Sequence, residues 1–414
     1  MWRSKMPAVS AKKLRARLSL NLPIDSNDLL SCDNVKLVNG SLQNACGFQP
    51  QDYFSAFYAI KVLAELRVWT YVLAKQGLYG VKEEMPTTAM KDSFTNACGC
   101  TYQNNFVFSA PNKGTYFSTA TKLTQNTTWG CNSLTVCSDR LFAIDTENHL
   151  CIAPVGQLDF ADAVKISPHT KIDAVVTVGK KLYALGNTCY AVEPYHADDV
   201  DVTFRAISHG AGVAQADSVA TFGNRAVFAT DCGLKMLQSD KVTPIFSDLN
   251  TLVDFNGSVA CNHGGRYYVS CKRLDGSQER NDVTLILDVD GEKVVGVLNQ
   301  GFESICSLGQ KLYATSDGAL LLMDDTPSDA FWQRTVDFDS SGVKYLEALH
   351  IKSKQDVKLI IQTDNETRWY RVKGKSVVQR VPLAGCGRTF TVTVEAQGGM
   401  KVDYLELTAR TYEV

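Results

Sequence analysis

Residues 174–194 read AVVTVGKKLYALGNTCYAVEP, and the same phrase recurs along the chain. It opens with an alternating apolar run, turns at Gly179, resumes as Leu182-Tyr183-Ala184-Leu185, turns at Gly186-Asn187 and resumes again. Period-two alternation punctuated by glycine and asparagine is the pattern of short antiparallel strands joined by tight turns. Four further copies align with it: SLTVCSDRLFAID from Ser133, SVATFGNRAVFATD from Ser218, SVACNHGGRYYVSC from Ser258 and SICSLGQKLYATSD from Ser304. Their aromatic residues, Phe142, Tyr183, Phe228, Tyr268 and Tyr313, are 41, 45, 40 and 45 residues apart. That spacing, filled by four alternating runs per period, is the period of a β-propeller blade. A lone four-stranded sheet exposes two apolar faces, whereas a closed ring of such sheets buries both and leaves only short edges.

Upstream the pattern continues in weaker copies, NFVFSA and GTYFST near residues 95–130 and FYAIKV, RVWTYVLA and GLYGVK near residues 55–90. The expected fold is therefore all-β: a propeller over residues 55–338 with about seven four-stranded blades, six to eight being compatible with the period. The run WQRTVDF is read as the outer strand of its last blade. Beyond residue 338 the period breaks into five longer alternating runs, read as a small C-terminal β-sandwich over residues 339–414. Residues 31–54 are read as a hairpin leading into the propeller, with Asn39-Gly40 as a type I′ turn. Residues 1–30 are read as a basic N-terminal arm, because Arg3, Lys5, Lys12, Lys13, Arg15 and Arg17 all precede the first acidic residue, Asp25. These six are the candidate partner-docking residues; a solvated terminus and a transit peptide would share their composition.

The 414 residues carry a formal net charge of −2 and are 45 % hydrophobic, the balance of a globular protein with a sizeable core and no global pull toward nucleic acid or acidic membrane. The most apolar window, FSAFYAIKVLAELRVWTYVLA, contains Lys61, Glu65 and Arg67, too many charges for a membrane span. No apolar secretory segment opens the chain, which points to a soluble protein. Thirteen cysteines cannot all pair and contain no C-x-x-C, so they are expected to be thiols acting as small hydrophobes.

No catalytic or metal-binding motif appears. H-E-x-x-H, G-x-S-x-G, a phosphate loop and a dinucleotide fingerprint are all missing, and TSDGALLL lacks the spacing and the tryptophan of a sialidase Asp box. The six histidines, His149, His169, His196, His209, His263 and His350, are scattered singly; His209 and His263 sit beside glycines and read as turn residues. Asp288 to Lys293, DVDGEK, lacks the ligand count of a calcium loop and reads as a hairpin turn. The expectation is a non-enzyme with no catalytic residues, no metal and no cofactor. Trp69, Trp129, Trp332 and Trp369 are ligand platforms only if the fold exposes them.

One segment is more specific. SCDNVKLVNGSLQNACGFQP, residues 31–50, resembles the opening of many tailed-bacteriophage tail and head–tail proteins, in which D/N-x-V-x-x-x-x-G-x-L-x-x-x-x-G precedes a propeller. Asn34, Val35, Gly40, Leu42 and Gly47 match; Ala45-Cys46 stands where an Arg-Pro is common. The closing runs VKYLEALHI, VKLIIQTDNETRWYRV, CGRTFTVTVEA and VDYLELTARTYEV are similar to the closing sandwich of phage nozzle and hub proteins. The resemblance implies a virion component: a homo-oligomeric ring, typically a hexamer, at the head–tail junction or tail. It would contact portal, adaptor or other tail proteins, pass DNA without sequence-specific binding, and help retain the packaged genome. A cytosolic propeller scaffold for a protein partner and a glycan-binding propeller are the alternative readings.

Overall fold

A computed structural model describes residues 10–18, 20, 32–94, 97–118, 123–193, 202–276, 279–324, 328–336, 338 and 342–413. The chain forms two units. One comprises Phe48–Lys293 and Gln300–Asp324; the other comprises Met1–Gly47, Val294–Asn299 and Asp325–Val414.

The first unit is a β-propeller with seven blade positions. The phrase at 174–194 becomes the first three strands of blade 4, Ala174–Val178, Lys181–Leu185 and Thr188–Glu193, followed by Thr203–His209. Blades 1, 2, 3 and 5 repeat this four-stranded meander, beginning at Ala59–Leu66, Cys98–Tyr102, Cys131–Cys137 and Ala220–Phe222. Blade 6 begins at Val253–His263 and blade 7 at Ser304–Leu308. The recurring aromatics occupy the second strand of each blade, and the register sets Phe142 opposite Thr135, Tyr183 opposite Val176, Tyr268 opposite Cys261 and Tyr313 opposite Cys306. The first-to-second strand turns have the positive φ that two-residue hairpins need: Gly264 (57°) and Gly265 (76°), or Ser138 (46°) and Asp139 (58°).

Adjacent blades share apolar clusters, such as Tyr71, Phe106 and Phe108 between blades 1 and 2, and Phe142, Leu150, Tyr190 and Val192 between blades 3 and 4. Polar clasps recur two residues or so beyond the aromatic. Ser109 Oγ accepts from the Cys131 amide at 2.9 Å, Ser270 Oγ accepts from Phe302 at 2.7 Å, and Thr315 Oγ1 donates to the Ile60 carbonyl at 2.7 Å. All three side chains are fully buried, so each hydrogen bond satisfies groups that water cannot reach. The last clasp joins blade 7 to blade 1, as does the cluster of Val62, Tyr79, Tyr313 and Leu320, and the ring is closed.

Closure differs from the expectation. The outer strand of blade 7 is Gly47–Pro50, not WQRTVDF. The Gln51 amide donates to the Leu320 carbonyl at 2.8 Å, and Phe48 packs on Phe302 with ring centroids 4.6 Å apart. A blade completed by a strand from before the first blade ties the ring's ends together. No 40-residue repeat can reveal this, because the completing strand lies some 270 residues from its partner.

The second unit is a pair of sheets drawn from both ends of the chain. Its strands are β1 (Ser10–Arg17), β2 (Cys32–Asp33), β3 (Val35–Val38), β4 (Ser41–Asn44), β5 (Lys293–Leu298), β6 (Ala330–Val336), β7 (Lys344–Ser353), β8 (Val357–Thr363), β9 (Thr367–Val372), β10 (Gln379–Pro382), β11 (Cys386–Gly387), β12 (Phe390–Ala396) and β13 (Lys401–Glu413). One sheet has the order β5-β3-β4-β13-β7-β10, with β1 on β13 and β11 on β7; the other has the order β2-β6-β12-β8-β9. Alternate residues face the core: Val402, Leu405, Leu407 and Ala409 on β13, and Leu359, Ile361, Val392 and Val394 on β8 and β12, all at most 1 % exposed. β6 contains most of WQRTVDF and pairs with β12, because Trp332, 2 % exposed, belongs to this core. The hairpin at Asn39-Gly40 forms as expected, with φ of 50° and 77°, but it joins β3 to β4 within this unit. β5 is the outer run of the sixth period, as expected from the sequence, and it also pairs with β3. The sandwich thus extends beyond residues 339–414, and residues 10–17 are a strand rather than an arm.

Candidate functional site

The basic residues of the N-terminus form one side of that strand. From Lys13 the sequence alternates K-L-R-A-R-L, so Lys13, Arg15 and Arg17 share one face while Leu14 and Ala16, half-buried, share the other. Lys13 lies opposite Arg410, Arg15 opposite Thr408 and Arg17 opposite Glu406 on β13. Lys13 Nζ is 3.5 Å from Glu347, which also receives a hydrogen bond from Arg410. Burial acts to raise the Glu347 carboxyl, but the Arg410 hydrogen bond and the charges of Arg410 and Lys13 outweigh it and hold the group below its ordinary range. Arg17 lies over the Tyr404 ring at 5.4 Å. Lys12, Lys13, Arg15 and Arg17 are all exposed. Lys12 occupies the other face, and Arg3 and Lys5 lie outside the described residues. The result is a basic ladder on a strand that, among the described strands, pairs only with β13.

The propeller axis is the second candidate. Two consecutive cavities of about 860 and 280 Å³ run along it, sharing Leu63, Gly99 and Leu134 of the innermost strands. Their walls are mostly small, apolar or thiol side chains, among them Cys98, Cys100, Val176 and Cys306. Lys61 of blade 1 forms an ion pair with Asp217, just before blade 5, and donates to the Ala97 carbonyl at 3.1 Å. Blades 1 and 5 are separated by three positions of a seven-blade ring, so this pair crosses the axis. A channel bridged by one side-chain pair admits small solutes at most.

The histidines and cysteines take mainly architectural places. The oxygens of Asp145 and Glu147 and a nitrogen of His149 lie within 4.8 Å of one another, a potential metal group. Asp145, however, accepts from the amides of Glu147 at 3.0 Å and His149 at 2.8 Å and from Lys165 Nζ at 3.0 Å, so an ammonium already supplies the positive charge. Burial would raise the Asp145 carboxyl, but those hydrogen bonds and the Lys165 charge hold it below its ordinary value. His263 Nδ1 is 2.9 Å from Ser307 Oγ, and burial pushes the imidazole below its ordinary value. Among the described residues the histidine–carboxylate pairs are those of His149 and His350, so this serine–histidine pair has no orienting acid. None of the thirteen cysteines is in a disulfide, and only Cys232 is exposed; Cys98 and Cys131 approach to 3.6 Å between sulfurs.

Of the four tryptophans weighed from sequence, Trp332 is core, Trp69 is half-buried, and Trp129 packs on Phe160 with Lys165 Nζ 4.7 Å from its ring centroid. Trp369 alone is open, at 69 % exposure. Sequence reasoning lacked its surroundings, a groove of about 730 Å³ in the second unit.

No family model matches the chain, and no curated protein matches it. Among solved structures it is similar to BamB from Moraxella catarrhalis, at 10 % identity and TM-score 0.46, over 76 % of this chain and 98 % of that one. The WD40 propeller of Doa1 matches at 10 % identity and TM-score 0.47, over 67 % and 96 % of the two chains. The Pan2 WD40 domain of Neurospora crassa matches at 8 % and 0.47, over 68 % and 95 %. The fold is a β-propeller by its own strand order.

Proposed function

We propose that this protein is a non-enzymatic structural component of a tailed-phage virion, forming a ring at the head–tail junction or tail through which DNA passes and by which packaged DNA is retained. One observation carries the reading. The two segments that resemble phage proteins, residues 31–50 and the closing runs, are far apart in sequence yet largely fold into one unit, with Leu42 paired to Val402 and Gln43 to Lys401. The motif positions have physical jobs there: Val35 and Leu42 are fully buried, and Gly40 supplies a positive-φ turn position. The basic ladder of β1 supplies a surface for a neighbouring copy or a portal-like ring, and assembly is the role for which an edge strand is suited.

On this reading DNA travels through the opening between copies, since the axis of a single propeller is crossed by Lys61 and Asp217. The test is the native mass of the full chain by light scattering, alone and with a portal protein. A discrete ring, six-fold above all, supports the proposal. A strict monomer under every condition overturns it.

A further inference from the structure

The open side of the sheet β2-β6-β12-β8-β9 has a composition that can be read strand by strand. Its register aligns Asp33, Phe331, Glu395, Lys358 and Arg371 in one row across all five strands. The adjacent row on the core side, Cys32, Trp332, Val394 and Leu359, is at most 2 % exposed, so the first row faces outward. One row further along the outward side stand Gln333, Thr393, Ile360 and, on the edge strand, Trp369. The groove of about 730 Å³ is lined by the whole first row and by Trp369 of the second, together with Ala330, Val357 and Ala396. That volume is within the range of pockets that hold small ligands.

Four carboxylates, Asp33, Asp329, Asp356 and Glu395, line the groove with two cations, Lys358 and Arg371, and both cations are paired. Lys358 Nζ is 2.8 Å from Glu395 Oε2, and Arg371 lies 3.7 Å from Asp356. Each pair cancels its own field yet keeps unused capacity, because an ammonium has three N–H donors, a guanidinium five, and a carboxylate several lone pairs. Such a lining has no attraction for phosphate or polyanions, which require uncompensated cations. It suits a neutral ligand dense in hydroxyls, each able to donate to a carboxylate and accept from a cation. The exposed indole adds an apolar plane, and Phe331 of the outward row adds further apolar surface. A pyranose ring has this same division, a face of C–H groups and a rim of hydroxyls. Strand addition by a peptide would use the backbone edge of β9 and leave the groove unexplained.

We propose that this groove binds a neutral oligosaccharide, with a sugar ring stacked on Trp369 and hydroxyls bound by the Glu395–Lys358 and Asp356–Arg371 pairs. The site is separate from the ring-forming role and would give the particle a hold on a glycan surface.

The test begins with the full-length protein on an array of neutral and anionic glycans, followed by calorimetry and tryptophan fluorescence with the neutral glycans that bind. Expected are saturable binding to neutral glycans and a change in tryptophan emission. W369A should weaken binding about tenfold or more, the scale of one lost stacking contact, whereas W369F should keep most of it. An unchanged melting temperature in W369A separates loss of binding from loss of fold, as expected for an exposed residue. Binding to no neutral glycan, binding confined to anionic glycans, or affinity unaltered in W369A would each overturn the proposal. So would self-association abolished by W369A in a protein that binds no sugar.

Discussion

Single residues show where local chemistry is set against its neighbours. Asn34 sits in the left-handed region at φ 54°, a conformation asparagine tolerates better than most residues. Its amide nitrogen donates to the Asp329 carbonyl at 3.0 Å, and its oxygen accepts from the Asn299 amide at 3.0 Å, so one side chain ties three segments. Asn34→Ala should cost about 1–3 kcal/mol, through two lost hydrogen bonds and a strained φ. Asn34→Gly should recover only the backbone part, and urea titration of both variants separates the two contributions. Asp240 makes a second residue-scale case. Hydrogen bonds from the Tyr183 hydroxyl at 2.6 Å, Lys181 and Arg205 hold its carboxyl down at about 2, against an ordinary value of 3.8. A carboxyl whose pKa is depressed on folding stabilises the protein above its unfolded pKa and loses that contribution as pH falls through the folded one. The contribution should therefore be complete above about pH 4 and gone below about pH 2; screening at this partly exposed site reduces it to about 1–2 kcal/mol. Asp240→Asn should lower stability at neutral pH, and its gap from wild type should close as urea titrations are taken down to about pH 2. A gap that persists at that pH would show that Asp240 acts through packing.

Strands and blades were legible in the sequence wherever partners are near neighbours. The aromatic phrase located the second strands of blades 3 to 7, because alternation and turn glycine are local consequences of a meander. Two elements escaped. The K-L-R-A-R-L alternation of β1 is visible, but six basic residues before any acid obscure it, and a strand of eight residues needs a partner; β13 is almost 400 residues away. Gly47–Pro50 escaped for the same reason, being too short to alternate visibly. The candidate site divides likewise. Four of the six basic residues, Lys12, Lys13, Arg15 and Arg17, lie together on β1, whereas the groove at Trp369 depends on cross-strand rows that no single run of sequence contains. Closure of the ring makes a sharp test. Phe48, 9 % exposed, is the main apolar anchor of its short strand, against Phe302. Phe48→Ala should cost about 3–5 kcal/mol and speed proteolysis around residue 50, while Trp369→Ala should do neither. If Phe48→Ala melts like wild type, the N-terminal strand is not what holds the ring closed.

If the protein acts as proposed, the whole molecule faces the problem of a conduit that must touch DNA without holding it. A surface that neutralises many phosphates binds DNA tightly and releases counterions, so affinity falls steeply with salt, and a duplex so held resists sliding. The chain carries 42 basic and 44 acidic residues, and the described ion pairs intermix them: Lys181 and Arg205 with Asp240, Arg266 with Asp288, Lys358 with Glu395. The basic ladder of β1 is the exception, and it too is partly offset by Glu347 and Glu406. If that ladder serves subunit contact rather than DNA, assembly and DNA affinity should respond differently to one change. Arg15→Gln with Arg17→Gln should impair ring formation or portal binding, read by light scattering, and should change the melting temperature little because both side chains are exposed and no like charge is set opposite Glu406. DNA binding by the unaltered ring, followed by fluorescence anisotropy, should be weak at about 0.15 M salt, with a log–log salt slope too shallow for many phosphate contacts. A steep slope that the double variant flattens would make β1 a DNA-gripping strand, and the ring would then be a clamp on the genome rather than a passage for it.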